Sequence, residues 1–270
     1  MTQLYLGTGG FSNNDWVGIF YEPHLKKTQW LEFYSHHFNA VEINSTFYAV
    51  PGQKTFASML ERSGGRLMFC AKLHRSFTHD VFIPKLAADQ AAANRFKFTV
   101  QPMLDAGKLG PLLAQFPFSF KNTSESRAYL VQLAEWFAGV DVAVEFRHSS
   151  WDKEGVYQFL ADIGLHPVSV DLPALEGLPA PVLRRNKLVY LRLHGRNRAN
   201  WFEGKDAAER HDYQYTPAEL GPWVKALKAS RVENAFVFLE NTTRGQGLTN
   251  AKEFRELWEA LELLDSKPIM

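Results

Sequence analysis

The chain has 270 residues, of which 46% are hydrophobic, which is enough to bury a core and excludes a disordered or fibrous protein. Its 30 basic and 29 acidic side chains leave a net charge of +1, too small for a general attraction to nucleic acid or to an anionic membrane. The single cysteine, Cys70, excludes an internal disulfide and a multi-cysteine zinc site, and it favours a cytoplasmic location. The first residues lack the pattern of a secretory leader, and no apolar run approaches the ~20 residues of a membrane span, so no membrane partner is expected.

Short apolar segments alternate with stretches of helical periodicity along the whole chain, as expected of repeated βα units. The predicted strands are Leu4–Gly7, Ala40–Ile43, Leu67–Lys72, Leu109–Gln115, Val142–Phe146, Pro167–Val170, Leu188–Leu193 and Asn234–Leu239. The predicted helices include Thr28–His37, Ala87–Ala106, Ser124–Gly139, Trp151–Gly164, Pro217–Ser230 and Asn250–Leu264.

This alternation predicts an α/β protein, a single (β/α)8 TIM-barrel domain over residues 1–270. The rival fold is an open doubly wound sheet, whose dinucleotide-binding form needs the spacing G-x-G-x-x-G after its first strand. Here Gly7 and Gly9 are followed by Ser12 at the third glycine position, so we favour the barrel. Ligand sites in such barrels lie at the carboxyl ends of the strands.

The alternation of apolar residues predicts which polar side chains face the barrel mouth, because side chains two residues apart share one face of a strand. If Val41 and Ile43 face the helices, then Glu42 and Asn44 face inward. Cys70 shares this parity but lies deep in its strand, so it is expected in the core. The other side chains predicted to face inward are Lys72, Glu145, Arg147, Ser169, Asp171, Tyr190, Arg192 and His194, while Gln115 ends strand four and Asn241 follows strand eight.

Polar residues at nearly every strand end predict either a ligand site or an internal salt-bridge network, and we favour the ligand site. In the network, Lys72, Arg147 and Arg192 would neutralise Glu42 and Glu145. Lys72, Arg147, Arg192 and Arg196 form a cationic group suited to phosphate or carboxylate. The expected proton-transfer residues are Glu145, His194 and Glu42, with His79 as the second candidate histidine. The further expected ligand contacts are Asp171, Asn44, Gln115 and Asn241.

Aromatic residues in the loops after the strands are a second group of candidate contacts. Trp16, Tyr48 and Trp151 are candidates for stacking on a sugar or a base, with Phe47 and Trp201 nearby. The alternative for each of them, which we favour for any single residue, is packing between loop and helix.

Several segments together resemble the YecE-like proteins known as domain of unknown function 72. The longest is Phe38-Asn39-Ala40-Val41-Glu42-Ile43-Asn44-Ser45-Thr46-Phe47-Tyr48, and Val144-Glu145-Phe146-Arg147-His148 and His194-Gly195-Arg196 agree in order. The resemblance spans almost the whole chain and implies a TIM barrel, but it implies no settled reaction.

The barrel of that family is similar to those of sugar isomerases and endonuclease IV, both metal-dependent, so fold analogy implies a hydrolase or an isomerase. A divalent metal would draw on Glu145, Asp171 and His194, with Glu240 as a further acid. Arg147 and Arg192 would crowd such a cation, so no cofactor is assigned.

Our first hypothesis is therefore an enzyme that acts on a small anionic substrate, a phosphorylated sugar or a nucleotide-like molecule. The second is a metal-dependent phosphodiesterase or isomerase. The third is a non-catalytic module that binds an anion or nucleic acid, although a net charge of +1 does not favour nucleic acid. The sequence makes no prediction about oligomeric state.

Overall fold

The computed structural model describes residues 2–265, and all paired strands in this range run parallel. Six strands form one sheet in the order β1-β8-β7-β6-β5-β4, and β2 pairs with β3. Isolated parallel bridges lie between the sheets, from Gly9 to Glu42 on one side and from Lys72 to Leu113 on the other. The strands are β1 Gln3–Thr8, β2 Ala40–Ile43, β3 Met68–Ala71, β4 Leu112–Gln115, β5 Val142–Glu145, β6 Leu165–Asp171, β7 Val189–Leu193 and β8 Asn234–Leu239.

Helices connect the strands. The α-helices are α1 Trp30–Ser35, α2 Gln53–Arg62, α3 Gln90–Asp105, α4 Ser124–Trp136, α5 Glu154–Asp162, α6 Ala207–Arg210, α7 Pro217–Ser230 and α8 Gln246–Asp265. Local sequence explains several of their starts: Thr123 accepts a hydrogen bond from the Ser126 amide at the start of α4, and Thr216 and Glu219 form a capping box on α7. None of the described helices is both long enough and apolar enough to cross a bilayer.

The strands carry a layer of buried side chains on each face, one inside the ring of strands and one against the helices. The inner layer includes Ala40, Cys70, Leu113 and Tyr190, so the prediction that Cys70 lies in the core is confirmed. The outer layer packs the strands against the helices and includes Val41, Val144, Leu191 and Val237. Because both faces are buried, a polar side chain at a strand end must find a partner.

All eight predicted strands are present, with ends that differ by up to three residues. The helix predicted at Trp151 begins at Glu154 because Ser149–Trp151 forms a separate 3₁₀ turn. Helix α2 was not among the predicted helices. It buries only Phe56, yet its apolar residues share one face, so the helical periodicity was present in the sequence and was missed.

Candidate functional site

A cleft of about 940 Å³ opens at the carboxyl ends of the strands. Its floor comes from the ends of β3, β4, β5, β7 and β8, and its walls come from the loops that follow. Of the residues predicted from the sequence, eight line the cleft: Asn44, Tyr48, Lys72, His79, Gln115, Arg147, Arg192 and His194. Glu42 and Glu145 are fully buried and bind the cationic residues of the floor.

Arg192, on β7, is the centre of the floor. Its Nε and Nη2 donate to the two carboxylate oxygens of Glu42 at 3.0 and 2.7 Å, and its Nη1 donates to Glu145 Oε2 at 2.6 Å. Its Nη2 also lies 2.9 Å from Oε2 of Glu240. The Tyr190 hydroxyl donates to Glu42 at 2.7 Å. A buried carboxylate without a partner would be costly, so this pairing allows Glu42 and Glu145 to be buried.

Arg147 lies beside Arg192 and shares two partners with it. Its Nε donates to Glu145 Oε1, and its Nη2 lies 3.3 Å from Nε2 of His194, while Nη1 of Arg192 lies 3.4 Å from the same nitrogen. Guanidinium groups only donate, so we assign Nε2 of His194 as their acceptor and the ring proton to Nδ1, in preference to an Nε2 proton directed at Glu145 Oε1, 3.4 Å away. Burial, followed by the charge of Arg147, lowers the pKa of His194 well below its usual value. The imidazole is therefore neutral, with Nδ1 as a donor.

Lys72 is another cationic residue of the floor, and not all of its N–H donors are used within the protein. Its Nζ donates to Gln115 Oε1 at 2.8 Å and lies 4.4 Å from the centre of the Phe47 ring. Burial, followed by the nearby charge of Arg192, lowers the pKa of Lys72 to about 8. The ammonium is thus charged at neutral pH and close to losing its proton.

Glu240 follows β8 and lines the cleft. The sequence analysis named this residue only as a further ligand for a metal. Burial, with the negative charges of Glu42 and Glu145 and against the attraction of Arg192, raises the pKa of Glu240 to about 8. Its Oε1 is buried and has no hydrogen-bond partner among residues 2–265. Gly9 packs against it so closely that a Cβ at that position would lie 2.4 Å from Oε2.

His79 and the aromatic residues form the wall near β3 and the mouth of the cleft. The His79 ring lies 4.8 Å from the Phe47 ring, and burial, followed by the charge of Lys72, lowers the pKa of His79 to about 4. Tyr48, Phe118 and Phe202 are 76%, 40% and 58% exposed at the mouth. Exposed aromatic rings around a cleft are typical of a site that receives a ligand ring.

The long loop between β7 and α7 contributes Trp201, which the sequence placed near the site, and also Arg210 and His211, which sequence reasoning did not find. Trp201 lies between two guanidinium groups, with Arg147 5.8 Å and Arg210 5.9 Å from its ring centre. His211 contacts the His194 carbonyl oxygen through Nδ1 at 2.8 Å. Arg210 and His211 lie outside the strands, where parity gives no information, so only their proximity in the fold identifies them.

Asp171 does not face the cleft, so its predicted orientation is wrong. Its carboxylate faces α7 and accepts hydrogen bonds from Arg196, from the Tyr215 hydroxyl at 3.1 Å and from the Trp223 indole at 2.6 Å. Arg196 is bound to this carboxylate and does not line the cleft. The valines of β6 face inward instead, which the sequence could not decide because both faces of this strand are buried.

Three further predicted contacts also lie away from the cleft. Trp16 is buried and donates to the Thr242 carbonyl at 2.8 Å, and Trp151 stacks on Phe146 with ring centres 4.1 Å apart. Asn241 donates to the Asn250 side chain at 2.8 Å and to the Tyr213 carbonyl at 2.7 Å. These side chains pack loops against the strands and helices, which was the alternative for the two tryptophans.

The residues at the strand ends do not fit a divalent metal. The predicted ligands Glu145 and His194 are close, but Asp171 faces the helices. The guanidinium of Arg192 takes up oxygens of Glu42, Glu145 and Glu240 that a metal would need. In the part of the chain that the structure describes, no group of three or more His, Cys, Asp or Glu side chains could hold a metal ion.

Comparison with known proteins identifies the family. The family model described as "Protein of unknown function DUF72" matches residues 5–269. The chain belongs to this family. The resemblance to YecE-like proteins seen in the sequence is thereby confirmed.

Relatives and solved structures agree with membership of DUF72. The chain is 29% identical to the UPF0759 protein YunF of Bacillus subtilis over 94% of each chain. It is 25% identical to the UPF0759 protein YecE of Escherichia coli K12 over 67% of this chain and 62% of YecE. A DUF72 protein of Thermotoga maritima matches with a TM-score of 0.87 and 37% identity, over 95% of this chain and 99% of that one.

Proposed function

We propose that this DUF72 protein binds a small organic anion in the cleft and transfers protons to or from it. The observation that carries the proposal concerns unpaired polar atoms. Six buried side-chain polar atoms among residues 2–265 lack a hydrogen-bond partner, and four of these belong to residues that line the cleft. Buried polar groups are normally paired, so this concentration indicates that a ligand supplies the partners. The four residues are Asn44, His194, Arg210 and Glu240.

The sign of the ligand follows from the donors that remain free. Arg192 directs its donors at its own carboxylates and histidine, whereas Nη1 of Arg147 makes no hydrogen bond within residues 2–265. Lys72 uses one donor on Gln115 and has two left. Two cations with spare donors at the floor favour an anionic group, carried by a sugar, a nucleotide or a carboxylic acid.

The proton-transfer roles follow from the same contacts. Both oxygens of Glu42 and both of Glu145 are engaged by arginines, so we assign these two residues to positioning the cations. Glu240, with a free Oε1, is the group that can exchange a proton with a ligand, and His194 offers its free Nδ1–H as a hydrogen-bond donor. Fold analogy favours hydrolysis or isomerisation as the reaction class. We assign no metal ion to either reaction, because Arg192 already binds the carboxylates that a metal would need.

Two further expectations belong to this proposal. The bridges between the two sheets support a closed (β/α)8 barrel, in which a site at the carboxyl ends of the strands is the usual arrangement. A cytoplasmic location stays a prediction, supported by the lone buried Cys70.

Binding measurements on Arg147→Met test the proposal. We would titrate benzoate, phenyl phosphate, glucuronate and glucose 6-phosphate at pH 7 and low salt, using calorimetry and the shift in Tm. The wild type should bind at least one probe, and Arg147→Met should bind it about tenfold or more weakly because a charged hydrogen bond is lost. Lys187→Met is the matched control, since Lys187 is exposed and outside the cleft.

If no probe binds the wild type, the proposed function is wrong. If Arg147→Met binds the probes as the wild type does but unfolds at a much lower temperature, the cationic residues form a structural network instead.

A further inference from the structure

The charged side chains at the floor of the cleft sum to one positive charge if Glu240 is counted as neutral. Three cationic side chains face two carboxylates there, which leaves a single positive charge. The cationic residues are Lys72, Arg147 and Arg192, and the carboxylates are those of Glu42 and Glu145. A ligand group with one negative charge would therefore neutralise the floor.

The geometry around Glu240 favours its neutral acid form. Its Oε2 reaches Arg192 at 2.9 Å, but the same Nη2 already donates to Glu42 at 2.7 Å. Its Oε1 is buried without a partner, and only 10% of the side chain is exposed. A third carboxylate on one guanidinium is poorly compensated, so the side chain retains a proton and offers one O–H donor to the cleft.

We propose that the anion bound in the cleft is a monovalent carboxylate on a ring-shaped molecule, and that Glu240 donates its O–H to this carboxylate. The proposal rests on the function proposed above and narrows its substrate class. A carboxylate carries one negative charge and matches the single excess positive charge of the floor. A phosphate monoester carries about −1.5 to −2 at pH 7, and its extra charge at the floor would lie near Glu42 and Glu145. The wall adds Arg210, but the charge of Asp15, which also lines the cleft, balances it in the count.

The mouth of the cleft supplies the contact for the ring. Tyr48, Phe118 and Phe202 present exposed aromatic faces there, and Phe47 lies under Lys72 inside the wall. Stacking on such faces suits an aromatic ring or the C–H face of a sugar. A ring with one carboxylate, such as benzoate or glucuronate, places its charge on the floor and its body at the mouth.

Several charged and titratable groups surround Glu240. Glu240 and its neighbour Lys72 each have a pKa of about 8. The loss of a proton from either one removes an attraction for the bound carboxylate. Burial lowers the pKa of His194 and raises those of Tyr34 and Tyr190, so these three stay neutral near pH 8. The groups that interact electrostatically with Glu240 are Arg192 from β7, Glu42 from β2, Lys72 from the end of β3, Glu145 and Arg147 from β5 and its end, and Tyr34 from α1. Tyr190 and His194 lie one contact further away, on Glu42 and Arg192.

Matched ligand pairs test the charge preference at pH 7. Benzoate is compared with phenyl phosphate, and glucuronate with glucose 6-phosphate, by calorimetry on the full chain at low salt. We expect the carboxylate of at least one pair to bind about tenfold more tightly than its phosphate. If the phosphate binds more tightly in both pairs, this inference is wrong while the proposed function stands. If none of the four binds, both are wrong.

The pH dependence of benzoate binding tests the role of Glu240. Between pH 7 and pH 9 the wild-type affinity should fall about hundredfold, because two groups with a pKa of about 8 titrate. Glu240→Gln replaces O–H by N–H, so its affinity should be lower at pH 7 but should fall only about tenfold, through Lys72 alone. Glu233→Gln, at the exposed far end of β8, should behave as the wild type. A hundredfold fall retained in Glu240→Gln would overturn the assignment.

Discussion

Arg192 and Arg147 lie side by side, yet the number of donors that each has left gives them different roles. Arg192 directs Nε, Nη1 and Nη2 at three glutamates, and only 3% of its side chain is exposed. Arg147 pairs with Glu145 and His194 and is 15% exposed. The same residue type therefore organises the floor in one position and remains available to a ligand in the other. Strand parity predicted that both face inward, but only the contacts separate the two roles.

The stability of the protein should reveal the proton on Glu240. The pKa of Glu240 is raised to about 8 in the fold, so between pH 5 and pH 8 the unfolded chain releases this proton and the folded chain retains it. Stability contributed by this group is therefore lost as pH rises through that window. Glu240→Gln should match the wild type at pH 5 and exceed it by about 3 kcal/mol at pH 8.

Urea unfolding at both pH values measures this difference. Glu233→Gln, exposed at the start of β8, is the control and should follow the wild type. Equal stability of Glu240→Gln and wild type at pH 8 would mean that Glu240 is ionised and adequately paired.

Strand β6 illustrates what the sequence can and cannot predict at the scale of an element. Parity was correct for β2, β3, β5 and β7, where a charged residue lies between apolar residues and has only one suitable face. In β6 the pattern Val168-Ser169-Val170-Asp171 is buried on both faces, so either parity satisfies the valines. The decision depends on Arg196, Tyr215 and Trp223, which are distant in sequence and give no local signal.

Asp171 should therefore matter for stability and not for ligand binding. Asp171→Asn turns an amide N–H₂ toward donors that now contact a carboxylate oxygen, so we expect a loss of about 3 kcal/mol in the free energy of unfolding. Affinity for the four anionic probes should stay within about twofold of the wild type. Asp162→Asn, on the exposed end of α5, is the control for stability. A loss of probe binding in a folded Asp171→Asn would return this residue to the site.

The contact between β1 and β2 depends on a residue without a side chain. A Cβ at Gly7 would lie 2.1 Å from the Ala40 carbonyl oxygen, and neither backbone can move without disturbing the adjoining strands. Gly7→Ala should destabilise the protein by about 3 kcal/mol or more. Gly221→Ala, in the middle of α7 with open space around it, should instead stabilise by about 0.5–1 kcal/mol. Chemical denaturation of both variants checks the pair, and a neutral Gly7→Ala would show that the two sheets are less tightly joined than this contact implies.

At the scale of the molecule, one ion cluster connects the two sheets. Glu42 lies on β2, in the two-stranded sheet, while Arg192 and Glu145 lie on β7 and β5 of the six-stranded sheet, and Glu240 follows β8. The sequence indicated the alternation of strands and helices because each element has its own apolar period. Strand parity also brought Glu42, Glu145 and Arg192 together as a possible salt-bridge network, which the structure contains. It could not indicate that Glu240 would join the same guanidinium, since that depends on the order of strands in the sheets. The cluster is thus a property of the assembled fold.

Arg192→Met tests how strongly this cluster supports the fold. The variant leaves Glu42 buried without its cationic partner, so it should lose about 3–5 kcal/mol of unfolding free energy at pH 7. The pKa of Glu145 lies well below its usual value in the wild type, so the stability it contributes is present at neutral pH and is lost as pH falls through that low value. The difference between Arg192→Met and wild type should shrink toward pH 4, because a buried carboxyl without a cationic partner costs least in its neutral form.

A second substitution separates an orphaned charge from lost packing. Arg192→Met combined with Glu42→Gln removes both members of the pair, and it should recover part of the loss at pH 7, because the remaining amide needs no counter-ion. Arg185→Met, at an exposed position before β7, serves as the control for the loss of an arginine elsewhere. If the double variant is no more stable than Arg192→Met, and the difference from wild type persists at pH 4, then Arg192 supports the two sheets mainly by filling space between them.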